Sequence, residues 1–149
     1  MDRQKLIAKN KKAHFDYELG ERLEAGMVLK GTEVKSLRLG KGNLTDSYAR
    51  VKDGEVWLLG CHISAYPWAY YDNHDPERPR KLLLRKKEIK KLGGKTSHQG
   101  ISLIPLRIYF KNGKAKVELA LARGKKTHDK RQTIKAREHG REMARAMKK

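Results

Sequence analysis

The chain is short of the features that mark most protein classes. Its 149 residues include one cysteine, Cys61, four prolines and 7% aromatic side chains. A single cysteine excludes an internal disulfide and gives no sign of an oxidising compartment. No apolar run approaches the roughly 20 residues that cross a bilayer. The N-terminal stretch, residues 1–15, is charged throughout and lacks the apolar stretch of a secretion signal. These absences predict a soluble, cytoplasmic protein with no membrane partner. The six histidines show no paired ligand spacing and have no cysteine partners, so neither a metal nor any other cofactor is expected.

Acid is also scarce: 17 Asp+Glu face 36 Lys+Arg, for a net charge of +19. The excess has two parts. Residues 123–149 carry eleven Lys/Arg against Asp129, Glu138 and Glu142, a net +8 that leaves +11 on residues 1–122. The only sizeable apolar residues of that tail are Ile134, Met143 and Met147, too little surface to offset the entropy of ordering it. The sequence therefore divides into a body, 1–122, and a basic tail, 123–149, disordered when free. Positive charge on both favours a polyanion over a small acidic substrate. With two methionines and no Trp or Phe, the tail is poorly suited to a membrane surface.

The body reads as mainly β. Residues 14–19 alternate with aromatics on one face, as a strand does. Residues 21–25 suggest a helical turn ended by Gly26, and residues 32–37 a second extended run with a bulge or bend. Gly40 to Asn43 is a loop. Asp53-Gly54 and Asn112-Gly113 are strong hairpin signals, and 66–79 is a long irregular loop. Leu84, Ile89 and Leu92 mark an amphipathic helix that should stop at Gly93-Gly94. Five or six strands with one late helix predict a closed oligonucleotide-binding-type β-barrel with short helices.

No catalytic constellation emerges. Gly94-Lys95-Thr96 resembles the end of a phosphate loop, but the glycine required five residues earlier is Ile89. Glu33, Asp46 and Asp75 are gathered by no spacing, and Cys61 reads as a small core residue; the expectation is that the chain is not an enzyme. Basic runs at nearly every strand edge, interleaved with Tyr48, Trp57, Tyr66 and Trp68, point to RNA bound by charge and stacking.

Several blocks carry a more specific signal. Asn10-Lys11-Lys12, Lys30-Gly31-Thr32-Glu33-Val34-Lys35-Ser36-Leu37-Arg38, Gly40-Lys41-Gly42-Asn43-Leu44-Thr45-Asp46-Ser47-Tyr48, Arg80-Lys81-Leu82-Leu83-Leu84 and Gly124-Lys125-Lys126-Thr127-His128-Asp129-Lys130-Arg131 resemble the small protein B family of bacterial SsrA-binding proteins. The resemblance runs from about residue 6 to the C-terminus. Two positions depart from its pattern: Arg123, where Lys is common, and His139, where an aromatic is common.

That resemblance implies an adaptor that binds the tRNA-like domain of transfer-messenger RNA and brings it to stalled ribosomes for trans-translation, with elongation factor Tu and GTP joining through the RNA complex. The protein would act as a monomer. Asn10, Lys11, Lys12, Glu33, Lys35, Ser36, Arg38, Lys41, Asn43, Arg80 and Lys81 are the expected RNA-binding residues, placed outside the core. Glu33 is the odd member, expected to accept a hydrogen bond from a base or to orient a lysine. In the tail, Gly124, Lys125, Lys126, His128, Asp129, Lys130, Arg131, Lys135, Arg137, Arg145 and Met147 are expected to meet the decoding region and mRNA path of the small ribosomal subunit, the segment turning helical there. A structural ribosomal protein whose tail threads rRNA stands as the alternative.

Overall fold

Both hairpin signals become hairpins. In the computed structural model, which describes residues 4–98 and 100–124, Asp53 and Gly54 take φ of 53° and 73°, and Asn112 and Gly113 take 51° and 79°. Two successive positive φ values define the turn whose twist matches that of the strands it joins. The first turn links β4 (Tyr48–Lys52) to β5 (Glu55–Leu59), and the second links β8 (Ile101–Lys111) to β9 (Lys114–Gly124). Around them lie β1 (Gln4–Lys9), α1 (Lys11–Asp16), β2 (Tyr17–Met27), α2 (Gly31–Arg38), β3 (Gly42–Asn43), β6 (His62–Ile63), β7 (Arg80–Leu83) and α3 (Lys86–Thr96).

Pairing runs β4–β5–β7–β2–β9–β8, all antiparallel, and β8 returns to β4 through the partners Leu103 and Ala49. The architecture is an oligonucleotide-binding-type barrel. β8 is shared: its residues 107–111 also pair with β1, while β3 and β6 form a small separate ribbon. Val56, Leu58, Leu82, Ile108 and Val117 are fully buried inside, and α3 adds Leu92 to the same core. A second cluster on the outer side of the β8–β9 hairpin joins Ile104, Leu106 and Ala120 to Ala13 of α1. With both faces covered, β8 reads as an almost unbroken apolar run.

Several expected elements change identity. Residues 14–16 belong to α1, because Asn10 caps that helix and ends the extended chain; the strand starts at Tyr17. Residues 21–25 are strand, since pairing of Arg22–Gly26 with Lys116–Ala120 overrides the helical propensity of Glu, Leu and Ala. Residues 32–37 are helical: Glu33, Ser36 and Leu37, at spacings of three and four, turn inward together. Gly40 at φ 75° ends that helix, its N–H reaching Leu37 O at 2.8 Å and that of Lys41 reaching Ser36 O at 3.1 Å. Of the expected loop, Gly42 and Asn43 pair as β3. α3 passes through Gly93 and Gly94 to Thr96, and a Cβ on Gly93 would meet Val51 Cγ1 of β4 at 3.6 Å, an ordinary packing distance. β1 was not anticipated.

β9 continues to Gly124, so the boundary expected after residue 122 falls inside a strand. The tail residues Lys125, Lys126, His128, Asp129, Lys130, Arg131, Lys135, Arg137, Arg145 and Met147 lie outside the described residues, as does the expectation of their disorder.

Leu58→Ala should cost about 2–5 kcal/mol, the range for emptying a buried leucine site. Urea unfolding with an unchanged slope would measure it, and a loss below about 1 kcal/mol would mean the barrel interior collapses around the gap.

Candidate nucleic-acid interface

Helix α2 separates two kinds of chemistry. Its inward face carries Glu33, which has no solvent exposure and accepts three hydrogen bonds. They come from the Lys30 N–H (2.7 Å), Arg78 Nη2 (2.5 Å) and Arg80 Nε (2.6 Å). Burial pushes the Glu33 carboxyl up, but the hydrogen bonds from Arg78, the Lys30 N–H and Arg80 outweigh it and hold the group below its usual range. Arg80, itself fully buried, also donates to the carbonyls of Cys61 and Pro76. The expected role of Glu33 in orienting a cation therefore has a structural counterpart, with arginines in place of a lysine.

The outward face of α2 carries Lys35 and Arg38, both exposed. Lys35 Nζ stands 5.6 Å from the ring centre of Tyr66, and the Arg38 guanidinium carbon 6.0 Å from that of Phe110. Exposed Lys41 and Asn43 follow directly in β3 and the turn before it. Three residues past Asn43, Asp46 pairs with Lys12 of α1 at 3.1 Å, and that hydrogen bond raises the lysine's pKa. These contacts place Lys11, Lys12, Lys35, Arg38, Lys41 and Asn43 along connected elements. An open groove of about 730 Å³ beside α1 adds Tyr48 and Arg50 to its lining. Lys81 lies on a different element, β7, where it pairs with Glu55 of β5 at 2.8 Å.

Four of the expected RNA-binding residues do not lie outside the core. Asn10, Glu33, Ser36 and Arg80 are all buried. Asn10 Oδ1 accepts from the Ala13 N–H, its Nδ2 donates to Pro105 O at 3.0 Å, and its backbone N–H donates to Leu106 O. Ser36 donates to Ser64 O at 2.6 Å. Each has its hydrogen-bonding capacity turned into the fold, as buried polar groups require. Arg78, part of a basic run, and His74 were given no site role from the sequence; the buried His74 ring bonds Thr32 Oγ1 and Ile63 O at 2.8 Å each. No local periodicity flags either; both sit in the irregular loop, and Glu33, Thr32 and Ile63 lie more than ten residues away.

Cys61 is buried, and burial pushes its thiol up to about 11, so it carries little thiolate at neutral pH. Among the described residues no three His, Cys, Asp or Glu side chains gather as a metal site, and no helix is long and apolar enough to cross a membrane.

The family described as SmpB protein matches residues 7–149. The chain belongs to the SmpB family. An SsrA-binding protein of Syntrophobacter fumaroxidans is 60% identical over 148 residues, covering 99% of this chain and 92% of the relative. One from Geobacter metallireducens is 59% identical over 145 residues, covering 97% and 95%. Among solved structures, a chain from "tmRNA-SmpB: a journey to the center of the bacterial ribosome" superimposes with a TM-score of 0.70 at 50% identity, covering 85% of this chain and 92% of its own. The family resemblance read from the sequence is thus borne out.

Glu33→Gln should destabilise this SmpB-family chain by about 3–5 kcal/mol, since it leaves the buried Arg80 guanidinium, and the partly exposed Arg78, without their counter-charge. The acid dependence identifies the cause. With its folded pKa depressed, Glu33 stabilises fully above the usual carboxylate value of 4.5, and that contribution is lost as pH falls through the lower folded value. The stability gap between parent and variant should therefore narrow below about pH 4.5. A gap that stays constant to pH 2 would assign the loss to packing instead.

Proposed function

We propose that this chain is a non-catalytic RNA adaptor of ribosome rescue. Its body binds the tRNA-like domain of transfer-messenger RNA, and residues 125–149 occupy the empty mRNA path and decoding region of a stalled small subunit. The observation that carries this reading is the near-complete likeness to SsrA-binding proteins, at 60% identity over 99% of the chain. Charge supports it: the chain carries +19, of which +11 falls on residues 1–122, and exposed cations along α1, α2 and β3 suit a phosphate backbone. The protein works as a cytoplasmic monomer, and elongation factor Tu with GTP meets it through the RNA complex.

Within this reading Lys11, Lys12, Lys35, Arg38 and Lys41 neutralise phosphates, and Asn43 donates to a sugar or base. Asn10, Glu33, Ser36 and Arg80 act from beneath, fixing α1 and α2 so that those cations keep their spacing. Lys81, engaged with Glu55 on another strand pair, contributes only long-range charge.

Lys35→Gln and Lys41→Gln should each weaken binding of the transcribed tRNA-like domain and flatten the salt dependence by about one unit of slope. Unchanged affinity and slope in the double variant would remove the α2–β3 surface from the interface.

Truncation after Gly124, which leaves β9 whole, should retain folding and RNA binding while abolishing the tagging of nascent chains on stalled ribosomes. A truncated chain that still tags at full rate would refute the division of labour. Stoichiometric presence on all ribosomes, rather than enrichment on stalled ones, would replace the adaptor with a structural ribosomal protein.

A further inference from the structure

We propose that the loop from Tyr66 to Tyr71 is a platform on which unpaired bases of the RNA stack, an assignment that rests on the adaptor reading above. Trp68, Tyr70 and Tyr71, three of four consecutive residues, are 64%, 89% and 88% exposed. Aromatic rings bury large areas when they find a partner, and three of them side by side in water form an unsatisfied surface. Tyr66 and Trp68 hold an edge-to-face contact, with centroids 5.3 Å apart and planes at 66°, so the first ring sets the attitude of the second.

The loop is tied to α2, the helix that carries the outward cations. Asn73 accepts from the Tyr66 N–H at 3.2 Å and donates to Tyr66 O at 2.9 Å, closing the aromatic segment into a ring. The Ala69 N–H donates to Tyr66 O inside it. Next to Asn73, the buried His74 ring bonds Thr32 in the first turn of α2. Ser36 of the same helix holds Ser64 O, and Ser64 N–H reaches Lys41 O. Lys35 lies over Tyr66. One helix thus fixes the aromatic loop with its inward side chains and presents Lys35 and Arg38 with its outward ones.

Charge selects the occupant. The loop and its return carry Asp72, Asp75 and Glu77, so phosphate is disfavoured on the loop itself. Flat uncharged π-faces suit it, while Lys35, Arg38 and Lys41 alongside attract the backbone to which such bases are attached. Bases splayed from loops or single strands stack on aromatic side chains in this way, without sequence reading.

The test uses the full chain with Trp57→Phe, leaving Trp68 as the one tryptophan, and two probes: the transcribed tRNA-like domain and a fully paired RNA duplex of equal length. The tRNA-like domain should quench Trp68 fluorescence and the duplex should not. Trp68→Leu with Tyr70→Leu and Tyr71→Leu should weaken binding of the tRNA-like domain about five- to 150-fold per stacked base lost, with the salt slope unchanged. Trp68→Phe should restore much of the loss. If the parent fails to bind the tRNA-like domain, the adaptor reading falls and the platform with it. If the parent binds without quenching of Trp68, or the leucine variant binds as tightly as the parent, the platform alone is overturned. Normal RNA binding with lost ribosome association would also overturn it, by assigning the rings to a protein surface.

Discussion

The buried contact of Glu33 with Arg78 and Arg80 is the constraint on which the interface depends. A carboxylate with no exposure survives only if its lone pairs are satisfied, and here two guanidinium groups and a backbone N–H do so. The geometry joins two segments distant in sequence: the first turn of α2, and the end of the long loop where it enters β7. Arg80 extends the network by donating to Cys61 O, so the β6 region is tied to the same point. Removing the carboxylate would release α2 from the barrel wall, and with it the cations on the helix's outer face.

A second set of contacts does the same for α1. Asn10 ends β1, caps the helix and bonds the Pro105 and Leu106 carbonyls in β8. Ala13 then packs on Ile104 and Leu106. Both helices are therefore placed by buried polar residues that touch the barrel, while their lysines face water. Exposed lysines on long flexible stems gain little from one another. In the adaptor reading proposed above, their value would lie in being held at fixed positions along a phosphate backbone.

The aromatic loop completes this arrangement in a different way. Nothing in the fold requires Trp68, Tyr70 and Tyr71 to face water, and each costs hydrophobic free energy there. The residues that anchor the loop, Asn73 and His74, spend their hydrogen bonds on its shape and on α2. Exposed rings and outward cations are thereby tied to the same helix.

By itself the sequence determined what depends on local chemistry. Asp53-Gly54 and Asn112-Gly113 specify their turns because only such residues accept successive positive φ at low cost. The continuous apolar run of β8, the α3 amphipathicity and the charge excess were legible for similar reasons, and the family blocks carried the broad function. Tertiary structure decided the rest. Thr32 and Val34 favour a strand, yet 31–38 is helix because Glu33, Ser36 and Leu37 must share one inward face. Residues 21–25 favour helix, yet pairing with β9 makes them strand. Polarity and the family blocks together placed Asn10, Glu33, Ser36 and Arg80 at the surface. Whether a polar side chain faces water or the core turns on partners 28 to 95 residues away, and that separation lies beyond any local pattern.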